Sequence, residues 1–376
     1  MEIQMLDLAE QYSSLKKELD IQIEKVLSSS SFILGENVSN LEKQIAEFSN
    51  CQYGIGVGNG SDAIHIALQA AGIKEGDEVI TTPFTFFATG GSIARTGATP
   101  VFIDINPQTF NLDYSKLENA ITDNTKAIIP VHLYGQMANM KEIMKIAEKY
   151  NLIVIEDAAQ AIGASANGNA VGELSSAATY SFFPTKNLGA YGDGGMIVTN
   201  KEQINEKSKV IRVHGSKPKY HHHILGYNSR LDELQAAILN VKVYYLKEYN
   251  DARRDIAKYY TNKLNKKLSN FITTPHEDEG YFHVYHQYTL RVKDRDELQK
   301  YLKSHGIAST VYYPIPLHLQ PVFSYLGYSK GDFPETERAT AEVLSLPIWP
   351  EMKREQQDYI IEKVVSFYKN KFSNDI

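Results

Sequence analysis

One lysine, Lys186, stands among aromatic and glycine residues in the segment FPTKNLGAYGDGG. A lysine that such neighbours desolvate has its ammonium form disfavoured, which is the condition for a nucleophilic amine that bonds to a carbonyl carbon. A lone lysine in a loop is more often solvated surface, so Lys186 by itself does not define a site. Its interpretation depends on the residues that the fold brings beside it.

Two acids and an amide follow a fully apolar run in NLIVIEDAAQAIGA. These residues are Glu156, Asp157 and Gln160, and the run before them is typical of a buried strand. A carboxylate at the end of such a strand could bind a metal, act as a base or keep a pyridine nitrogen protonated. The metal alternative needs further ligands that the sequence does not obviously supply. A structural acid at the start of a loop is the plain alternative.

A glycine-rich turn forms the third candidate segment, VGNGSDAIHIAL. It leads from a strand pattern through Gly58, Gly60 and Ser61 into a helical pattern. The free N–H groups and the positive end of a helix favour a bound phosphate. The same turn fits a loose dinucleotide-binding pattern, but no acid ends a second strand at the expected distance. A nicotinamide enzyme is therefore the weaker alternative.

Pyridoxal 5'-phosphate (PLP) needs donors for its phosphate, an anion opposite its ring nitrogen and an amine for its aldehyde. The three segments together offer all of these groups. Taken alone, Lys186 is best explained as a solvated surface residue. In combination with the phosphate-binding turn and the strand-end carboxylate, that explanation becomes much weaker. The sequence therefore predicts a PLP site in which Lys186 is the nucleophile.

The elements that must position these segments alternate along the chain. Helical patterns occupy about residues 7–48 with a break at Gly35, and short β-branched runs then alternate with helical stretches. Such alternation predicts an α/β fold with a mainly parallel central sheet flanked by helices. Because these sheets bind ligands at the carboxyl ends of their strands, the three segments are expected to meet there.

The length of 376 residues corresponds to roughly two to three domains at about 150 residues each. A large PLP-binding α/β domain with N-terminal helices is expected over 1–245. A long helical stretch from about Leu231 to Leu264 leads into a small α+β domain over 246–376, which ends in a helix from Arg354 to Lys371. The closing residues SNDI are expected to be frayed.

Composition narrows the classes of function. A net charge of -6 argues against a general nucleic-acid or membrane-surface binder, and 43% hydrophobic residues suffice for a packed core. Cys51 is the one cysteine, so neither an intrachain disulfide nor a cysteine-built metal site is expected. The chain starts without signal-peptide features and contains no long apolar run. We therefore expect a soluble, cytoplasmic protein.

Ordered motifs along nearly the whole chain resemble those of one family: LDLAEQY, GNGSDAIHIAL, PVHLYG, EDAAQAIGA, FPTKNLGAYGDGG, GYNSRLDELQAAIL and YPIPLHLQP. In them the sequence resembles the DegT/DnrJ/EryC1/StrS family of PLP-dependent nucleotide-sugar aminotransferases. The resemblance implies PLP-dependent transferase fold type I, which is aspartate aminotransferase-like. It also implies ping-pong transfer of an amino group from L-glutamate to a nucleotide-linked keto sugar, with pyridoxamine 5'-phosphate as the intermediate form of the cofactor.

The resemblance also assigns cofactor-binding residues. Lys186 would bond covalently to the cofactor and shuttle the proton as the catalytic residue. Asp157 would face the ring nitrogen, Gln160 the ring hydroxyl and Phe86 the ring face. The phosphate would be held by Gly60, Ser61, Asp62 and Ser181, together with Asn228 of GYNSRLDE from the neighbouring subunit. Two sites at the interface of an obligate homodimer would follow.

Substrate preference rests on the same resemblance. A lysine at 186 favours an aminotransferase over the related sugar 3-dehydratases, which carry histidine there. The segments KNLGAYGDGG and KYHHHILGYNSRLDE resemble the branch that aminates C-3 of a dTDP-3-keto-6-deoxyhexose. A C-4 keto sugar, a UDP-3-keto sugar and a cyclitol are the alternatives. Substrate contacts are expected from these candidates: Tyr191, Tyr220, His221, His222, Tyr313 and His318.

Two of these segments have other interpretations. The histidine run at 221–223 invites a metal site, but three adjacent histidines cannot all reach one centre without an unusual turn, so no metal is expected. The protein could also be a regulator that keeps the fold and the cofactor without turnover. The intact Lys186, Asp157 and Gln160 count against that possibility.

Overall fold

The computed structural model describes residues 1–371, so the expected fraying of SNDI lies outside the described residues. The helices are α1 (Leu8–Ser29), α2 (Glu36–Phe48), α3 (Gly60–Ala70), α4 (Phe87–Arg95), α5 (Met140–Lys149), α6 (Glu202–Ile211), α7 (Glu233–Lys242), α8 (Leu246–Leu268), α9 (Arg295–Ser304), α10 (Pro334–Glu342) and α11 (Arg354–Lys371). The strands are β1 (Tyr53–Val57), β2 (Glu78–Thr81), β3 (Thr99–Phe102), β4 (Thr125–Ile128), β5 (Ile153–Asp157), β6 (Ser165–Ala166), β7 (Asn169–Ala170), β8 (Ala177–Ser181), β9 (Gly195–Thr199), β10 (Ile272–Thr273), β11 (Tyr281–Phe282), β12 (Tyr288–Val292) and β13 (Val343–Leu346).

The central sheet has seven strands in the order β1-β9-β8-β5-β4-β2-β3. Strand β9 runs antiparallel to both of its neighbours, and the other pairings are parallel. The predicted α/β fold with a mainly parallel sheet is therefore confirmed. Strand β9 is reversed because the loop 182–194 returns the chain from β8 without a crossover helix, and a parallel strand needs such a crossover. That loop carries Lys186.

Side chains of the central strands alternate between two apolar layers. Ile128 and Val154 pack on the face covered by α2, α5 and α7, whereas Ala127 and Ile155 pack on the face covered by α3, α4 and α6. Because both faces are covered, these strands are apolar throughout, as the run before Asp157 predicts.

A second core surrounds the small sheet β10-β12-β13 and the helices α8, α9 and α11. Ile3 from the start of the chain is buried in it and pairs with Ile307. The long helical stretch expected from Leu231 is two helices, α7 and α8, joined by a short 3-10 turn. The division between 1–245 and 246–376 stays a prediction. Among the described helices, none is long and apolar enough to cross a membrane.

The N-terminus of α2 is capped by a carboxylate from far along the chain. Gly35 at the cap position offers no side chain, and Glu233 of α7 instead accepts hydrogen bonds from the N–H groups of Asn37 and Val38 at 3.1 and 2.9 Å. The Asn37 amide donates a third bond at 2.9 Å. Glu233 is buried, so these bonds tie the N-terminal helices to the large sheet.

Glu233→Gln is expected to lower the free energy of unfolding by about 1–3 kcal/mol, because an amide nitrogen replaces one acceptor and leaves a buried N–H group unsatisfied. Denaturant unfolding followed by circular dichroism measures the loss. The matched control is Glu36→Gln, an exposed acid in the first turn of α2, whose effect should stay below about 0.5 kcal/mol. Equal losses for the two variants would contradict the assignment of Glu233 as the cap.

Candidate active site

A cavity of about 750 Å³ opens at the carboxyl ends of β1, β5 and β8. The three candidate segments therefore meet at one edge of the sheet, as parallel strands require. Nine of the residues singled out in the sequence line the cavity: Gly60, Ser61, Asp62, Phe86, Asp157, Gln160, Ser181, Lys186 and Tyr313.

Lys186 lies in the loop 182–194, which closes on itself. The Lys186 N–H donates to the Phe183 carbonyl and the Phe182 N–H to the Gly194 carbonyl, each at 2.8 Å. Burial lowers the pKa of Lys186 to about 8, and the negative charge of Asp157 partly opposes this shift. The side chain thus combines access to the cavity with a neutral amine fraction far above that of an ordinary lysine.

In protein free of cofactor, the amine reactivity of Lys186 is expected to rise with pH about a midpoint near 8. Only the neutral amine reacts, so a lowered pKa raises the reactive fraction at pH 7 to about one tenth, against about one in 3000 for an ordinary lysine. Competitive labelling with acetic anhydride, quantified by mass spectrometry, measures the midpoint. Lys247, exposed and with its pKa raised by Asp251, is the internal control. A midpoint at Lys186 no lower than that at Lys247 would contradict the prediction.

Asp157 at the end of β5 is buried, and two hydrogen bonds fix its carboxylate. Oδ2 accepts from the Thr89 hydroxyl at 2.7 Å and Oδ1 from the Ala159 N–H at 3.2 Å. An anion held in this way at the cavity wall suits a protonated ring nitrogen.

The neighbouring acid, Glu156, points to the opposite face of the sheet. Its carboxylate accepts from His132 Nε2 at 2.6 Å and from the Gly172 N–H at 3.0 Å. The His132 Nδ1 accepts from the Ala138 N–H, which assigns the proton to Nε2. Alternation along β5 therefore gives Asp157 to the cavity and Glu156 to the core.

The first turn of α3 forms the end of the cavity that fits a phosphate. A Cβ atom at Gly60 would lie 2.7 Å from the Ser181 Cβ, so only glycine lets the two segments approach this closely. The hydroxyls of Ser61 and Ser181 adjoin the positive helix end, and an N-terminal helix turn supplies free N–H donors. The Asp62 N–H donates to the cap residue Asn59 at 2.9 Å, and the role of Asp62 at the phosphate stays a prediction.

A second feature of that end is the position of the Asp62 carboxylate. The Ser229 hydroxyl donates to it at 2.8 Å, and an Arg95 nitrogen lies 3.9 Å away. These contacts fix the Asp62 carboxylate at the cavity wall beside the helix turn. The donor set and the space at Gly60 therefore fit a phosphate group.

Gln160 and Tyr313 are joined across the cavity. The Gln160 Oε1 accepts from the Tyr134 N–H at 2.6 Å, and its Nε2 donates to the Tyr313 hydroxyl at 3.0 Å. Burial, helped by the charge of Asp157, raises the pKa of Tyr313, so its hydroxyl stays protonated. The Phe86 ring lies 5.9 Å from that of Tyr313 and is exposed toward the mouth of the cavity. These groups suit the ring hydroxyl and the ring face of the cofactor.

Five residues of the site were not predicted from the sequence: Arg95, His286, Gln287 and Tyr312 line the cavity, and Thr89 bonds to Asp157. Thr89 and Arg95 follow the Phe86 segment on α4, so the helical spacing from that segment was a usable signal. Burial lowers the pKa of His286 well below its usual range, and the positive charge of Lys186 adds to the shift. His286 lies far from the other site residues in sequence, and no local pattern predicts that it reaches the cavity.

The remaining candidates lie outside this cavity within one chain. Tyr220, His221, His222 and Asn228 are exposed on the segment 214–228. Tyr191 packs between α1 and α7, where Lys242 Nζ lies 4.6 Å from its ring centroid.

His318 is buried in the short turn Leu317–Leu319 and bonds to Glu337 at 3.2 Å, outside the set of residues that line the cavity. His65 of α3 is buried and bonds to Tyr227 at 2.9 Å. Within residues 1–371, no group of three or more histidine, cysteine, aspartate or glutamate side chains has the arrangement of a metal site.

Comparison with known families gives one match over most of the chain. The model of the DegT/DnrJ/EryC1/StrS aminotransferase family matches residues 13–365. A protein of Geobacillus stearothermophilus named pleiotropic regulatory protein is 62% identical, and the match covers 98% of this chain and 100% of that protein.

Two further relatives carry enzymatic names. A UDP-N-acetyl-3-dehydro-alpha-D-glucosamine 3-aminotransferase of Acidithiobacillus ferrooxidans is 45% identical over 94% of this chain and 95% of its own. A dTDP-3-amino-3,6-dideoxy-alpha-D-galactopyranose transaminase of Aneurinibacillus thermoaerophilus is 44% identical over 96% and 98%.

Solved structures agree over the whole fold. The DesV protein of S. venezuelae, determined with a ketimine intermediate, superposes with a TM-score of 0.95 at 38% identity and covers 97% of this chain and 98% of its own. NtdA of Bacillus subtilis, determined with bound pyridoxamine 5'-phosphate, has a TM-score of 0.91 at 34% identity and covers 98% and 85%. The predicted fold type and the predicted cofactor are both confirmed.

Proposed function

This chain belongs to the DegT/DnrJ/EryC1/StrS aminotransferase family, and from that premise we propose that it transfers an amino group from L-glutamate to the C-3 keto group of a dTDP-3-keto-6-deoxyhexose. The coarser activity, a PLP-dependent nucleotide-sugar aminotransferase, is the family's own. The observation that carries the proposal is a single cavity holding Lys186, whose pKa is lowered to about 8, and the fixed carboxylate of Asp157.

Each side chain has a defined task in the proposed reaction. Asp157 keeps the ring nitrogen protonated, and the turn at Gly60 with the hydroxyls of Ser61 and Ser181 holds the phosphate. Bound PLP supplies an electron sink for the bonds at the donor α-carbon. Lys186 would take the proton from that carbon as a neutral amine, the form that its lowered pKa favours, and would hold it for return within the same half-reaction.

The position of amination and the nucleotide have different support. The names of both enzymatic relatives place the amino group at position 3, which favours C-3 over C-4. One relative is named for a UDP sugar and the other for a dTDP sugar. Their sequence identities to this chain are nearly equal, at 45% and 44%. A UDP-linked 3-keto sugar is therefore the second candidate substrate.

Absorption spectroscopy of the purified protein with PLP tests the proposal. We expect a visible band of lysine-bound cofactor that L-glutamate replaces by the ultraviolet band of pyridoxamine 5'-phosphate. Matched dTDP- and UDP-linked 3-keto and 4-keto sugars should then restore the visible band, and the fastest substrate identifies the nucleotide and the carbon. A visible band that L-glutamate leaves unchanged, while another amino acid removes it, would overturn the donor assignment.

A regulatory role is the second candidate function, because the relative at 62% identity is named a pleiotropic regulatory protein. A regulator that only senses the cofactor has no need of a lysine with a lowered pKa open to the cavity. The same spectra separate the two functions. A cofactor band that no amino donor changes would favour the regulator.

We also propose that the protein is a homodimer in which Asn228 reaches the phosphate of the partner subunit's site. The segment 214–228 supports this, since Tyr220 and Leu225 on it are 80% and 93% exposed, an apolar surface that a second chain would cover. Phe86 at the mouth of the cavity is likewise exposed. The cytoplasmic location expected from the sequence stays a prediction.

Mixed dimers check the shared site. Asn228→Ala should weaken retention of PLP about tenfold, the loss of one hydrogen bond to a charged group. Refolding it with a Lys186→Ala chain should recover up to half of the wild-type activity per mixed dimer, because one of the two sites then has both residues intact. No recovery, with mixed dimers demonstrated by native mass spectrometry, would contradict the cross-subunit role.

A further inference from the structure

A buried lysine, Lys242, stands outside the cavity at the end of α7. It is 1% exposed, although burying an ammonium group is costly unless it is paired or hydrogen-bonded. Its Nζ donates to the Gly189 carbonyl at 2.5 Å and lies 4.6 Å from the Tyr191 ring centroid. Both partners belong to the loop 182–194, which carries Lys186.

Gly189 packs directly against the segment just before Lys186, so a hydrogen bond to the Gly189 carbonyl also restrains that segment. A Cβ atom at Gly189 would lie 2.3 Å from the Pro184 carbonyl oxygen, so the two backbones are in direct contact. The Ala190 N–H donates to the Phe182 carbonyl at 2.8 Å, which closes the loop around that contact. A shift of Gly189 therefore cannot occur without a shift of the segment that presents Lys186.

The same helix holds the loop at a second point. The Gln235 Oε1 accepts from the Tyr191 N–H at 2.9 Å. Gln235 and Lys242 lie two turns apart and so share one face of α7. One contact would leave the loop free to pivot, whereas contacts at Gly189 and Tyr191 together fix its orientation against a rigid helix.

The positive charge of Lys242 makes its hydrogen bond to the Gly189 carbonyl stronger than a bond from a neutral donor would be. Hydrogen bonds from an ionised donor are roughly twice as strong as those between neutral groups. Burial lowers the pKa of Lys242 to about 8, and the negative charge of Glu351 partly opposes this shift, so the ammonium form still predominates at pH 7. Within the described residues, both carboxylate oxygens of Glu351 are buried without a hydrogen-bond partner, so its charge acts across space.

From these contacts we infer that Lys242, together with Gln235, is a positioning residue that holds the loop 182–194 so that the Lys186 amine faces the cofactor aldehyde. The inference rests on the proposed role of Lys186 as the residue that bonds to PLP. It assigns no chemistry to Lys242, which acts through the Gly189 carbonyl.

The test compares Lys242→Met with the wild type and with Lys247→Met, which changes an exposed lysine in the first turn of α8. Methionine keeps the length and apolar packing of the stem and removes the donor. Each protein is incubated with limiting PLP and reduced with borohydride, and mass spectrometry quantifies the cofactor fixed on Lys186. Hydrogen exchange of peptides covering 182–194 and denaturant unfolding are measured on the same samples.

We expect about tenfold slower fixation of PLP on Lys186 in Lys242→Met and faster exchange in the loop, while Lys247→Met matches the wild type. The unfolding free energy should fall modestly, because the Gly189 carbonyl loses its donor and the buried Glu351 loses a nearby cation. A purely structural role would slow fixation only together with faster exchange throughout the protein, whereas a positioning role confines the faster exchange to residues 182–194. Gln235→Leu removes the second contact and should show the same pattern, which keeps the inference testable if Lys242→Met does not fold.

The outcomes separate the inference from the proposed function. Wild-type protein that fixes no PLP on Lys186 would refute the proposed function whatever the variants do. Wild-type fixation that is matched in rate and in loop exchange by Lys242→Met, or by Gln235→Leu if the first variant does not fold, would overturn the positioning role alone.

Discussion

Lys186→Ala is expected to lower the rate of amino transfer at least about 10⁴-fold, leaving a folded protein that still binds PLP noncovalently. The variant loses both the covalent link to the cofactor and the base for the α-carbon proton, and proton transfer by a positioned group alone contributes about 10²–10⁴-fold. Rapid mixing with L-glutamate, followed by absorbance, measures the first half of the reaction directly.

A second variant tests whether the reaction needs the neutral amine of Lys186 or only its positive charge. Lys186→Arg keeps a cation in the cavity but cannot become a neutral nucleophile, so it should be as inactive as Lys186→Ala. Lys247→Ala is the control for a lysine without a role. Multiple turnovers by either position-186 variant at a rate near wild type would remove the central claim about this site.

Asp157→Asn is expected to reduce kcat about 100- to 1000-fold, equivalent to about 3–4 kcal/mol of transition-state stabilisation. Asparagine has the same shape and still accepts one hydrogen bond, so the loss reports the missing charge on the ring nitrogen. Steady-state kinetics with L-glutamate and the best keto sugar measure it.

An independent signature accompanies that loss. The Asp157 charge raises the pKa of Lys186, so its removal should move the midpoint of Lys186 reactivity in cofactor-free protein below about 8. The matched control is Glu156→Gln, which alters a carboxylate in the core and should affect stability while leaving the Lys186 midpoint in place. An upward shift in Asp157→Asn would contradict the proposed electrostatics.

The residues that sequence reasoning located share a simple physical cause. Apolar runs define β1, β5 and β8, and the residues just after parallel strands meet at one edge of the sheet. Asp157 ends one such run, and Gly60 and Lys186 come a few residues after two others, so their convergence was predictable from the alternation of strands and helices.

The residues that it missed depend on contacts between distant segments. His286 reaches the cavity from the loop before β12, and Glu233 caps a helix near the start of the chain; neither is marked by a local pattern. Tyr191 was predicted from its nearness to Lys186 in sequence, yet the loop turns it toward α7. Its role in binding substrate stays a prediction, as do those of the exposed candidates on 214–228.

The reversed strand β9 has a consequence for how the protein is made. β1 joins the sheet only through β9, so β1 lacks its partner until residues 195–199 have left the ribosome. At about 5–20 residues per second, that delay is on the order of ten seconds, during which β1 presents unpaired backbone groups. A nascent chain that stops before Gly195 would contain the whole glycine turn and Lys186. It would lack β9, the strand that joins β1 to β8 and so places Gly60 beside Ser181. We therefore expect PLP to bind only after residues 195–199 have completed the sheet.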